Sequence, residues 1–115
     1  MNYRELDVWK RSMNLSIASY QNLSGLRDFG FKDQITRSSL SVPSNIAEGY
    51  GRGTNKELMR FLYIAKGSCN ELETQIIIGT EIGYIIKEDS KDWLKESEEI
   101  SAMLGGLILA RNKFS

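Results

Sequence analysis

Histidine is absent from the whole 115-residue chain, and that absence excludes more than any motif present admits. It removes the commonest general base and the commonest metal ligand. Ser-His and Cys-His hydrolytic chemistry is therefore excluded. A ferritin-like di-metal centre, which needs Glu-x-x-His pairs, lacks its ligand set. The single cysteine, Cys69, rules out an intramolecular disulfide and any multi-cysteine zinc site. The one proline, Pro43, and the scarcity of β-branched alternation argue against sheet. No stretch approaches the ~18–20 uncharged apolar residues of a spanning helix. The longest apolar run near the C-terminus, residues 103–110, is short and contains Gly105 and Gly106. The first residues lack the apolar core of a signal peptide, so a cytoplasmic location and no membrane partner are expected. No cofactor and no small-molecule substrate are expected either. Carboxylate or Ser-Lys chemistry stays formally open, although Glu71 and Glu73, two apart, cannot share one helix face.

What is present is helical periodicity, in four segments that fit one domain, residues 1–115. In residues 5–23, Leu6, Trp9, Met13, Ile17 and Tyr20 recur at spacings of three and four and define one apolar stripe. Residues 24–30 read as a loop. In residues 32–49, Phe31, Ile35, Val42 and Ile46 share a face, with Ser38, Ser39 and Ser41 as small neighbours that let another helix approach. Pro43 inside this segment predicts a kink, and the register of Ile46 and Ala47 favours one kinked helix over two short ones. Gly49-Tyr50-Gly51-Arg52-Gly53 is the clearest break. It also invites a phosphate-loop reading, but the Gly-Lys-Ser/Thr ending and a preceding strand are both missing.

The third segment is expected over residues 55–86. It opens on a capping box, with the Thr54 hydroxyl and the Glu57 carboxylate each bonding the other's amide. Leu58, Phe61, Leu62, Ala65, Leu72 and Ile76 keep its period, and Ser68 and Cys69 pack small in its middle. Ile76-Ile77-Ile78 spreads apolar surface around the helix, so at least one of the three faces something other than its own core, a hint of self-association. The fourth segment begins with Asp89 or Ser90 as N-cap. Its stripe holds Trp93, Ile100, Met103 or Leu104, Leu107, and Phe114. Short connections make neighbours antiparallel, so the expected fold is an all-α, antiparallel up-down four-helix bundle with a proline-kinked second helix.

The charges sum to zero but are unevenly spread. Residues 1–66 hold ten Lys/Arg and six Asp/Glu, and the remainder holds five and nine. Either a basic face for an anionic partner or solvated faces of different sign accounts for this. Arg37, Arg52, Lys56 and Arg60 gather around the kinked segment and the glycine turn, with Tyr50 among them, and form a candidate nucleic-acid surface. Salt bridges to Glu48 or Glu57 account for the same residues. Asn45 and Glu48, three apart, either grip a ligand or neighbouring subunit or lock the end of the second helix against the third.

Several stretches together resemble a known family. They are Leu6-Asp7-Val8-Trp9-Lys10, the run from Gln34 through Val42-Pro43-Ser44-Asn45-Ile46-Ala47-Glu48-Gly49 to Arg52, then residues 56–62, 71–75 and Gly83-Tyr84. Over nearly its whole length the chain resembles the 23S rRNA intervening-sequence proteins, also called the S23 family, with residues 42–49 the most specific piece. The resemblance implies a four-helix bundle in a ring-shaped homopentamer. Some members are encoded within insertions in ribosomal RNA genes, and related accessory proteins of diversity-generating retroelements bind nucleic acid and a reverse transcriptase. The expected function is thus a non-catalytic, homo-oligomeric binding or scaffold protein contacting RNA or a nucleic-acid-processing protein. Pro43, Asn45, Glu48, Gly49 and Ile77 are its structural or interface positions. The alternative is a protein–protein adaptor with no nucleic-acid contact.

Overall fold

The computed structural model describes residues 2–113. A short 3-10 turn, Tyr3–Glu5, precedes four helices: α1 Asp7–Asn22, α2 Phe29–Gly51, α3 Asn55–Glu81 and α4 Lys87–Asn112. Among the described residues there is no strand. The bundle measures 45 × 21 × 20 Å, close to the ~40 Å expected of a 27-residue helix. α1 packs on α2 and α4, and α3 packs on the same two. The α1/α2 face therefore lies opposite the α3/α4 face. Cross-helix partners climb one helix as they descend the next: Ser38 meets Gln75, Ser41 meets Ser68, Lys66 meets Ser101 and Asn55 meets Arg111. Neighbours are antiparallel.

Local chemistry fixes the helix ends. Asp28 caps α2, its Oδ1 accepting from Phe31 N at 3.1 Å, so the helix begins at Phe29, three residues earlier than the periodicity predicts. Thr54 caps α3 through its hydroxyl, which accepts from Glu57 N at 3.2 Å. The other end of α3 corrects the expected boundary at residue 86. Gly83 has φ +83°, and around it Tyr84 N donates to Gly79 O (2.8 Å) and Gly83 N to Thr80 O (3.1 Å). This double bond pattern about a left-handed glycine is a Schellman stop. The chain then turns through residues 82–86, and α4 starts at Lys87 with Ile86 as its N-cap. Ser90 cannot cap, because it is buried and its own N–H bonds Ile86 O within the helix.

The core is built from Ile35, Ile46, Leu62, Leu72, Ile76, Ile100 and Leu104, all inaccessible to solvent or nearly so. Trp93 is buried with them and Trp9 is half-buried against them. The stripe expected for α1 is corrected. The inward residues are Val8, Ser12, Leu15, Ser16 and Ser19, while Ile17 and Tyr20 are each 45% exposed. The reason is a close α1–α2 contact that admits only small side chains: Ser39 Oγ lies 3.2 Å from Ser16 Oγ and 2.8 Å from Ser19 Oγ. Each buried hydroxyl is thereby bonded. α2 is one helix, running unbroken through the buried Pro43. On α4, Phe114 of the expected stripe lies outside the described residues.

Candidate functional site

The sequence places its most specific run at the end of α2, and the structure shows what fixes that end. Gly49 is buried where α2 crosses α3. A Cβ there would stand 3.0 Å from Phe61 Cβ and 3.1 Å from Leu58 Cδ1. The absence of a side chain lets the two helices meet just before the turn. The expected break is also corrected, because helix continues through Tyr50 and Gly51 and the chain leaves it only at Arg52. Asn45 points back into its own helix, its Nδ2 donating to Ser41 O and Ser41 Oγ at 2.8 Å each, and Ser41 Oγ in turn lies 2.8 Å from Ser68 Oγ on α3. Glu48 pairs with Arg52 across one turn at 2.8 Å.

Beyond Gly49 the turn gathers cations. Arg52 and Arg60 each hold the guanidinium carbon 4.9 Å from the centre of the Phe61 ring. Arg60 also pairs with Glu57 at 3.2 Å, and Lys56 is exposed beside them. Both ion pairs lie on the surface, where such contacts contribute ~0–1 kcal/mol, so they orient the guanidiniums more than they neutralise them. Arg37 is not part of this group. It lies fifteen residues before Arg52 on α2, roughly 20 Å along the axis, and pairs with Asp33 at 3.0 Å. A residue outside the sequence-based set takes its place. Arg111, from the last turn of α4, lies 6.0 Å over the Tyr50 ring, brought there by Asn55 Nδ2 donating to Arg111 O at 2.7 Å. Spacing in the sequence could not pair residues 50 and 111; the antiparallel direction of α4 was the available signal. Arg52 and Arg111, with Tyr50, Thr54 and Asn55, line a cavity of about 250 Å³.

Two apolar grooves flank the bundle. On the α3/α4 face, Met59, Tyr63, Ile64, Ile108 and Leu109 line one of about 720 Å³, rimmed by Lys56, Arg60 and Lys66. On the opposite α1/α2 face, Met13, Ile17, Tyr20, Leu40 and Pro43 line a smaller one of about 260 Å³. Further along α3, Ile76 is fully buried whereas Ile77 and Ile78 are about half exposed, together with Ile82.

The polar contacts inside the bundle serve the fold. Lys66 Nζ donates to Ser101 Oγ at 2.9 Å, and Ser97 Oγ donates to a Glu73 carboxylate oxygen at 2.8 Å. Both serines sit mid-helix, where backbone amides are committed to the helix and cannot form an oxyanion hole. Burial pushes the Cys69 thiol up to about 11, away from nucleophilic reactivity. At the other end of the bundle, Phe31 N and then Tyr84 Oη hold the Asp28 carboxyl below its ordinary value. Among the described residues no cluster of three His, Cys, Asp or Glu is placed to hold a metal ion, and no helix is long and apolar enough to cross a membrane.

Fold and site together define a small all-α four-helix-bundle protein with arginines held over aromatic rings at one end. The chain belongs to the 23S rRNA-intervening sequence protein family, whose model matches residues 4–106. It is also similar, at 26% identity, to a protein of unknown function from the S23 ribosomal protein family of Bacteroides thetaiotaomicron. That crystal structure superposes with a TM-score of 0.82 over 88% of this chain and 97% of the other. No curated protein matches the sequence.

Proposed function

We propose that this chain is a non-catalytic, cytoplasmic binding protein that assembles with copies of itself and contacts RNA through the basic turn between α2 and α3. The observation that carries the RNA contact is the grouping of Arg52, Lys56 and Arg60, joined by Arg111, at one end of the bundle. Guanidiniums held over rings at a surface keep donors accessible to phosphate, and Arg is suited to bidentate contacts with it. Arg37 stands apart and belongs to the contact only if the RNA runs along α2.

Self-association is supported by apolar grooves on opposite faces. Two different faces that meet head to tail generate a ring when the rotation closes, in keeping with the pentamer favoured by the resemblance. A ring would repeat the basic turn in every subunit, so several weak contacts act together through effective concentration. Light scattering should give a multiple of the 13.1 kDa protomer; a monomer at micromolar concentration overturns the assembly.

The RNA contact is tested by salt dependence. Changing Arg52 and Lys56 to Glu should weaken RNA association and flatten the salt slope by roughly one unit per lost phosphate contact. A folded, oligomeric double variant that binds RNA unchanged refutes it. One observation favours the adaptor reading: the α3/α4 groove exposes Tyr63 at 62% and Leu109 at 67%, a surface suited to an apolar partner helix. Wild-type protein with no salt-sensitive RNA binding would put that reading first, with a nucleic-acid-processing protein among its candidate partners.

A further inference from the structure

We infer that the cavity between the α2–α3 turn and the last turn of α4 is a phosphate-binding site, with Arg52 and Arg111 as its cationic walls and the Tyr50 hydroxyl as an added donor. The inference deepens the RNA reading and rests on it for the source of the phosphate.

Three independent features converge on the cavity. First, two arginines from chain segments about sixty residues apart line the same small space. Each is placed against a ring, Arg52 on Phe61 and Arg111 on Tyr50. A guanidinium held over a ring is biased toward that position, so less freedom is lost when an oxyanion is bound. The Arg52–Glu48 pair, 2.8 Å at its closest, is about half exposed on both sides, so a phosphate can share the guanidinium or displace the carboxylate. Second, the wall at Gly53 is open: a Cβ built there meets nothing within 4 Å. Third, the Tyr50 hydroxyl is buried and has no hydrogen-bond partner among the described residues. A buried hydroxyl without a partner is unfavourable, and phenylalanine would fill the same place without that cost. Tyr50 lines this cavity, and its hydroxyl, closed to solvent as it stands, gains an acceptor when its side chain turns toward a bound oxyanion.

The chemistry named is a phosphate group, which reaches the site as an internal phosphodiester of RNA, as a terminal 5′-phosphate or as the free ion. The experiment is thermal unfolding with inorganic phosphate against chloride at matched ionic strength and fixed protomer concentration. At ten times its Kd, phosphate multiplies the folded-to-unfolded ratio by about elevenfold, a rise of a few degrees in Tm. Arg111→Gln should abolish the rise. Tyr50→Phe should increase Tm without phosphate, because the orphaned hydroxyl is gone, and reduce the phosphate-induced rise. A purely structural role for Tyr50 does not produce that opposition.

Short RNA carrying either a 5′-phosphate or a 5′-hydroxyl separates the sources. Preference for the phosphorylated end assigns a terminal phosphate, and equal binding weakened in Arg111→Gln assigns an internal one. A phosphate-dependent rise without RNA binding upholds the site as one for the free ion and removes the RNA reading instead. No phosphate-dependent rise in the wild type, or an equal rise in Arg111→Gln, overturns the site, even if RNA still binds elsewhere on the basic turn.

Discussion

Two glycines in the last turn of α2 should respond to the same substitution with opposite sign. Alanine is favoured over glycine in a helix by ~1 kcal/mol in the interior and less near the end. At Gly51 a new methyl meets nothing within 4 Å, so Gly51→Ala should stabilise by a few tenths of a kcal/mol. At Gly49 the methyl would stand 3.0 Å from Phe61 Cβ and 3.3 Å from the Leu58 carbonyl oxygen. These atoms belong to or adjoin the backbone of α3 and cannot turn aside, so the helices must separate by several tenths of an ångström. Overpacking of this kind costs ~1–3 kcal/mol, more than the propensity gain. Gly49→Ala should therefore destabilise by ~0.7–2.7 kcal/mol, and the two variants should differ by ~1–3 kcal/mol. Urea unfolding, at one protomer concentration because assembly adds concentration-dependent stability, reads the difference as a shift in midpoint at constant slope. If Gly49→Ala is as stable as Gly51→Ala, the α2–α3 crossing does not depend on the missing side chain.

Two further outcomes follow from the titrating groups. Arg11 of α1 donates to Glu96 and Glu99 of α4, the latter at 2.6 Å, and that hydrogen bond holds the Glu99 carboxyl below its ordinary value. A depressed carboxyl contributes stability above its unfolded pKa and loses it as pH falls through the folded one. Glu99→Gln should therefore be less stable than wild type at neutral pH, with the gap closing in the acid range; a gap independent of pH would count against the α1–α4 ion cluster. Cys69 is 1% exposed and its thiol is pushed up to about 11 by burial, so a disulfide reagent at pH 8 should modify native protein only as fast as the bundle opens. Immediate labelling would contradict its burial.

The fold was legible wherever period and size agreed. Ile35, Val42 and Ile46 on α2 and Leu58, Leu62, Leu72 and Ile76 on α3 are core residues in both the periodicity and the structure, because a large apolar residue every third or fourth position has one stable place to go. α1 misled for the converse reason: Ile17 and Tyr20 of its expected stripe lie on the surface, and its inward face is chosen by how little room α2 leaves. The stop at Gly83 carried the ordinary signal of a glycine after the last periodic residue, hidden by the isoleucines that continue past it. At the basic end, Arg52, Lys56 and Arg60 were readable because a short turn keeps sequence neighbours together. Arg37 was miscounted among them because sequence distance along a straight helix is real distance. Arg111 was missed because the grouping followed local spacing, and only the return of α4 brings it to Tyr50.

The serine seam between α1 and α2 bears on the order in which the chain assembles. α2 and α3 are joined by a three-residue turn, share the most extensive packing in the bundle and bury mainly hydrocarbon, so their hairpin has both the shortest loop to close and the largest apolar gain. α1 is the shortest of the four helices and docks largely through hydroxyls that water would also satisfy, so its attachment contributes less free energy per residue. The expected sequence is therefore an early α2–α3 hairpin, closure by α4, and α1 last. In native-state hydrogen exchange, α1 amides should open at lower free energy than those of α3, leaving a three-helix intermediate whose uncovered side is the hydroxyl face of α2.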